Sequence, residues 1–165
     1  MTELPIFAVG LFIMLVLAAL TAMRQKEISW QIVRCAAAIL VNWIAGTLYV
    51  WRTGDFTPWH FSIFIDAAAA LAVMYHPAGR VQGCIGLFYL FQIAFHVAFG
   101  IRTILHMSAD PIYYYDAITY IAWAQLAAMG LWCGGVWMGD FLHRLRHRHD
   151  AAARRARAGN SRAAP

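Results

Sequence analysis

An integral-membrane bundle of five α-helices, an all-α fold, is what this sequence predicts, and three observations predict it. The 165 residues are 62% hydrophobic and only 13% charged, where a soluble domain carries about 25% charged residues. Mean hydropathy is +0.57. The apolar residues also arrive in long runs without the polar stripe of a soluble amphipathic helix. Lipid admits only helices or closed barrels, and runs without strict alternation exclude a barrel.

A helix crossing a bilayer needs about 20 apolar residues. The first candidate covers residues 5–23. Its leading "MTELP" has an acid and no base, and "LAALTAM" lacks a small-x-small cleavage site. It therefore reads as a retained helix rather than a signal peptide. The second covers 32–51, the third 59–75, the fourth 81–101 and the fifth 114–139. The third is short and the fifth long, which tilt or an interfacial overhang absorbs. A transmembrane domain over 1–142 and a basic tail over 143–165 follow. The tail, "HRLRHRHDAAARRARAGNSRAAP", is expected to extend helix five for a turn and then to be largely disordered.

Charge sets the expected orientation. Arg24, Lys26, Arg34, Arg80 and the tail arginines fall on one side. Only Arg52 and Arg102 fall on the other, among Glu3, Asp55, Asp110 and Asp116. The positive-inside rule then puts the N-terminus outside and the C-terminus in the cytoplasm, as an odd number of spans requires. Trp51, Trp59 and Tyr113 to Tyr115 would mark the outer interface, and Trp30, Tyr75 and Trp137 the inner one. Arg144, Arg146, Arg148, Arg154, Arg155 and Arg157 are expected to hold anionic lipid headgroups at about 1 kcal/mol per cation. Nucleic acid is the disfavoured alternative partner. A frayed end does not preorganise His143, His147 and His149 for a metal.

Cys35, Cys84 and Cys133 lie one each in helices two, four and five. Three widely spaced cysteines without a C-x-x-C argue against a disulfide framework or a zinc site. They read as small packing residues. No metal or other cofactor is expected. A bis-histidine haem would need a second imidazole at the depth of His96, and His60 is too near a helix end. No nucleotide-binding or hydrolytic motif is present, and the chain does not read as an enzyme.

Polar side chains in lipid are costly and usually face the bundle interior. At about 100° per residue, helix two places Cys35, Ala38, Asn42, Gly46 and Tyr49 on one face. Helix three groups Ser62, Asp66 and Ala69. Helix four groups Tyr89, Gln92 and His96, and helix five carries Gln125. Counted from the outer helix ends, Asn42, Asp66, His96 and Gln125 lie at roughly 8 to 17 Å depth. Asn42, Asp66, Gln92, His96 and Gln125 are thus expected to form one polar cluster in the outer half. Asp66 would have His96 as its first partner. Burial opposes each charge and a close ion pair opposes that penalty, so the proton between them would be movable. Alternatively the cluster only fixes helix packing, through bonds averaging about 0.6 kcal/mol. Arg34 and Arg102, near helix ends, are expected to snorkel to the headgroups. Gly130, Gly134, Gly135 and Gly139 form small-xxx-small pairs that would admit another helix, from this chain or a second copy.

Residues 42–100 contain an Asn-Trp in one helix and "FSIFIDAAAALAV" in the next. "HPAGRVQ" and a Gln-x-x-x-His helix follow. This pattern resembles small multi-spanning membrane proteins encoded by phages and prophages. The resemblance implies a bacterial inner membrane and a part in host lysis or membrane remodelling. Three roles are expected to compete, the first of them favoured. The first is a membrane-perturbing, holin-like protein that forms oligomers. The second is a small proton-coupled transporter or channel subunit built on Asp66 and His96. The third is a structural subunit of a larger membrane complex.

Overall fold

The computed structural model describes residues 3–55, 57–76, 79–108 and 110–162, with the side chains of 6–55, 57–76, 79–108 and 110–146. Five helices follow in order: α1 Glu3–Arg24, α2 Ser29–Thr53, α3 Trp59–Met74, α4 Arg80–Ile104 and α5 Pro111–Arg162. Four of them (α1, α2, α4 and the first 36 residues of α5) are long and apolar enough to cross a membrane. α3 has 16 residues and rises about 24 Å, less than a hydrocarbon core of about 30 Å.

Every helix except α3 outruns its apolar segment at both ends. Hydropathy stops at the first charged residue, but backbone hydrogen bonding continues until geometry interrupts it. For α2 the interruption is Gly54, whose left-handed φ of 71° caps the helix while its N–H bonds Val50 O at 2.8 Å. The tail differs most from expectation, because α5 continues as backbone helix through Arg162. Alanine and arginine rank among the best helix formers, and an existing helix propagates through them without a new nucleus.

Consecutive helices pack on one another, α5 closes back on α1, and α2 reaches across to α4 and α5. The result is a ring of five helices. α3 runs antiparallel to α2 and α4, and contacts at both of its ends fix it there. At its start, Phe61 stacks on Tyr49 of α2 at 4.5 Å, and Trp59 fills the space over Gly100 of α4. At its end, Arg34 of α2 donates to His76 O at 3.3 Å, and Gln82 of α4 donates to Val73 O at 2.5 Å. The end of the bundle where α1, α3 and α5 begin is called the N-terminal end below, and the opposite one the C-terminal end.

The interior is mostly apolar, and its buried polar side chains lie at several heights, with Thr21 and Gln82 towards the C-terminal end and Asp66, Gln92, His96 and Gln125 nearer the other. Towards the C-terminal end, Ile32, Val73, Ile85 and Met129 are fully buried, with Cys35 and Cys133 beside them. These six residues make one apolar layer drawn from α2, α3, α4 and α5. Outside, large apolar side chains such as Phe12, Leu71, Tyr120 and Leu131 are exposed all round, as lipid-facing helices require. Cys84 is exposed as well, so only two of the three cysteines pack in the interior.

The glycines of α5 do not admit a helix of this chain. A Cβ added at Gly130, Gly134, Gly135 or Gly139 would meet nothing within 4 Å. The close approaches fall elsewhere, at Gly10 against Trp123, Gly86 against Met74 and Gly100 against Trp59. Spacing alone selected the α5 glycines, whereas large side chains from neighbouring helices decide where a missing Cβ is needed.

Candidate intramembrane polar site

Each helix from α2 to α5 supplies one member of a chain of close polar contacts, all buried except the half-buried Asn42. Asp66 sits seven residues into α3, on the stripe shared with Ala69, Ala70 and Val73, which are all buried. Its side chain is 1% exposed. Asn42 of α2 donates to Asp66 Oδ1 at 2.8 Å. His96 of α4 places Nε2 2.9 Å from Asp66 Oδ2. The other ring nitrogen, Nδ1, lies 2.6 Å from the Tyr114 hydroxyl of α5.

These distances determine what the chain can do. Oδ1 has a well-aligned donor, whereas Oδ2 has no aligned hydrogen bond despite its short separation from His96. The Asp66–His96 contact is therefore one of proximity, and a small swing of the imidazole would bring it into line. With the ring proton on Nε2, Nδ1 accepts from the Tyr114 O–H. With a second proton on the ring, Nδ1–H donates to the tyrosine oxygen. The Nδ1–hydroxyl distance therefore suits a hydrogen bond donated in either direction.

Two more polar side chains border the chain. The Tyr89 hydroxyl, fully buried, lies beside Asn42 without an aligned partner of its own. Ser62 is the polar neighbour of the Tyr114 hydroxyl. Gln92 and Gln125 form a separate buried pair, with Gln125 Nε2 donating to Gln92 Oε1 at 2.6 Å. Gln92 precedes His96 by one turn, so this pair lies about 6 Å deeper along α4. The five expected cluster residues thus divide into two groups, a charged one and a neutral one.

Tyr114 is the functional residue that the sequence assigns wrongly. Aromatic composition places Tyr113, Tyr114 and Tyr115 together in an interfacial belt, yet Tyr114 is 3% exposed while its neighbours are 68% and 45% exposed. Successive residues on a helix point about 100° apart, so only one of three adjacent tyrosines can turn inward. A helix start at Pro111 would have shown which one. Tyr114→Phe is expected to lower stability by about 0.5–1.5 kcal/mol, measured by denaturation in detergent micelles. An unchanged midpoint would mean that the hydroxyl does not bond His96.

The other polar candidates stay outside this chain. Arg34 is half-buried, bonded to His76 O and with its Nε unpartnered, so it ties α2 to the end of α3 rather than snorkelling freely. Arg102 donates to Ser108 O at 2.5 Å and braces the loop after α4. His60 meets the Tyr49 hydroxyl at 3.0 Å near the N-terminal end. Arg144 and Arg146 are exposed on α5. Arg148, Arg154, Arg155 and Arg157, together with His147 and His149, lie outside the described side chains. Among the described residues, no three His, Cys, Asp or Glu side chains gather as metal ligands.

Comparison of the chain with family models, curated proteins and solved structures finds no match.

Proposed function

We propose that this protein handles protons within a membrane, as a small transporter or a channel subunit, through Asp66 and His96. One observation carries the reading: a carboxylate and an imidazole, each about 2% exposed or less, stand 2.9 Å apart inside the ring. Ionisable side chains at this depth are expensive, and function is the usual reason that they are kept. Asn42 and Tyr114 orient the pair from either side.

In this reading all five helices cross the bilayer. α3 is bonded to its neighbours at both ends of the bundle, and about 6 Å of mismatch is absorbed by local thinning or by its flanking residues. The N-terminus faces outward and the C-terminus the cytoplasm of a bacterial cell, by the positive-inside rule. The acid–imidazole pair then lies in the outer half of the membrane.

Reconstitution into proteoliposomes carrying a pH-sensitive dye and an imposed pH gradient tests the proposal. The wild-type protein is expected to acidify the lumen, and Asp66→Asn to abolish that flux, because an amide cannot cycle a proton. Equal flux from both proteins would defeat it, as would no flux from either. The membrane-perturbing reading implied by the phage-protein resemblance predicts something else: release of a neutral trapped dye by both proteins.

A further inference from the structure

We infer that the C-terminal end of the bundle carries a binding site for an anionic phospholipid, formed where Arg24 of α1 and Arg144 of α5 flank a groove. The groove is about 360 Å³ in volume and is lined by Arg24, Trp137, Phe141, Arg144 and Leu145. Trp137, Phe141 and Leu145 recur every fourth residue and so share one face of α5, with Arg144 beside them.

The chemistry of the groove is split in the way a lipid is. Phe141 and Leu145 are 57% and 46% exposed and offer an apolar surface to acyl carbons. The two guanidiniums supply forked N–H donors that match phosphate oxygens. Arg24 is already held in place, its guanidinium carbon 4.0 Å from the centroid of the Trp137 ring. That stacking leaves the edge N–H groups of the guanidinium open to an acceptor. Trp137 is fixed in turn, since its Nε1 donates to Thr21 Oγ1 at 2.9 Å.

Asp140, one turn before Arg144 on α5, offsets only part of the charge of the two arginines. Asp140 accepts from Gln25 at 2.8 Å, and among the described residues no carboxylate pairs with Arg24 or Arg144. Two arginines without an acidic partner, on opposite walls of an apolar groove, match a headgroup of net negative charge. The Arg24–Trp137 stack also makes this a formed site, distinct from a diffuse attraction to the basic tail.

Native mass spectrometry of the full-length protein in mild detergent tests the site with three probes: dioleoylphosphatidylglycerol, dioleoylphosphatidylcholine and inorganic phosphate. Phosphatidylglycerol adducts are expected to dominate. Arg144→Gln, at an exposed position, should weaken them about fivefold, and Arg24→Gln by a similar factor. Arg52→Gln, exposed at the opposite end of the bundle, should leave them unchanged. Equal adducts from the two lipids would overturn the inference, and so would an Arg144→Gln protein that binds like wild type. Competition by millimolar inorganic phosphate would overturn it too, because a free-phosphate site owes nothing to Phe141 and Leu145.

Discussion

Asp66→Ala is expected to destabilise the bundle by about 3 kcal/mol, far more than Asp66→Asn. Alanine removes both oxygens, leaving the half-buried Asn42 amide without its acceptor at 2.8 Å and the buried His96 imidazole without its polar neighbour 2.9 Å away. Each orphaned donor costs about 1–3 kcal/mol. Asparagine keeps an oxygen for Asn42 and turns an amide N–H towards His96, whose ring can switch tautomer to accept it. It should cost about 1 kcal/mol. Denaturation in micelles, read by circular dichroism for both variants, checks the contrast. If alanine costs no more than asparagine, Asp66 is not holding its neighbours, and the site is looser than the distances imply. The double variant Asp66→Ala/His96→Ala measures the coupling directly. Recovery of part of the loss would mean that the stranded imidazole, and not the cavity, carries the penalty.

Glycine replacement gives the second large effect, with opposite signs at two places in the bundle. Gly100 is buried, and a Cβ there would drive into the Trp59 ring at the start of α3. Indole at a helix junction has little room to retreat, and overpacking of this kind costs about 1–3 kcal/mol. Gly100→Ala should therefore separate α3 from α4 at the N-terminal end and weaken the fold. Gly134→Ala and Gly135→Ala meet nothing within 4 Å and should gain up to about 1 kcal/mol of helix propensity. The same denaturation assay reads all three. A neutral Gly100→Ala would contradict the observed packing of Trp59. A destabilising Gly134→Ala would reveal a second copy of the chain against that face of α5, since none of the described residues comes within 4 Å of an added Cβ there.

Much of this architecture can be read from one sequence, for reasons specific to membranes. Lipid allows few solutions, so apolar runs and loop charges locate four long helices and a fifth, shorter one. The depth of a polar residue is equally legible, because a fixed rise per residue converts position into height. That is how Asn42, Asp66 and His96 come to be expected at one level. Rotation is harder to read. A stripe on a helix wheel shows which residues share a face but not which helix that face meets. Gln92 and His96 share one face of α4, yet Gln92 turns to Gln125 while His96 lies between Asp66 and Tyr114. Tyr114 was hidden by its neighbours for the same reason. The α5 glycines show the converse, a motif with the right spacing on a face that meets no other helix of this chain. In the tail, low complexity suggests disorder while the helix propensity of alanine and arginine favours continuing a helix already begun, and the backbone helix runs through Arg162.

The apolar layer of Ile32, Val73, Ile85 and Met129, fully buried beneath the site, has an electrical consequence. In the proposed orientation these residues, although interspersed with the buried Thr21 and Gln82, would leave more of the membrane voltage on the C-terminal side of Asp66 than on the other. A proton reaching Asp66 from the N-terminal end travels about 10 Å of a core of about 30 Å. Moving a unit charge through the full field amounts to about 2.3 kcal/mol per 100 mV, so this shorter path senses roughly a third of that, about 0.8 kcal/mol. If the N-terminal end faces outward as proposed, occupancy of the carboxylate would follow external acidity closely and respond only weakly to the membrane potential.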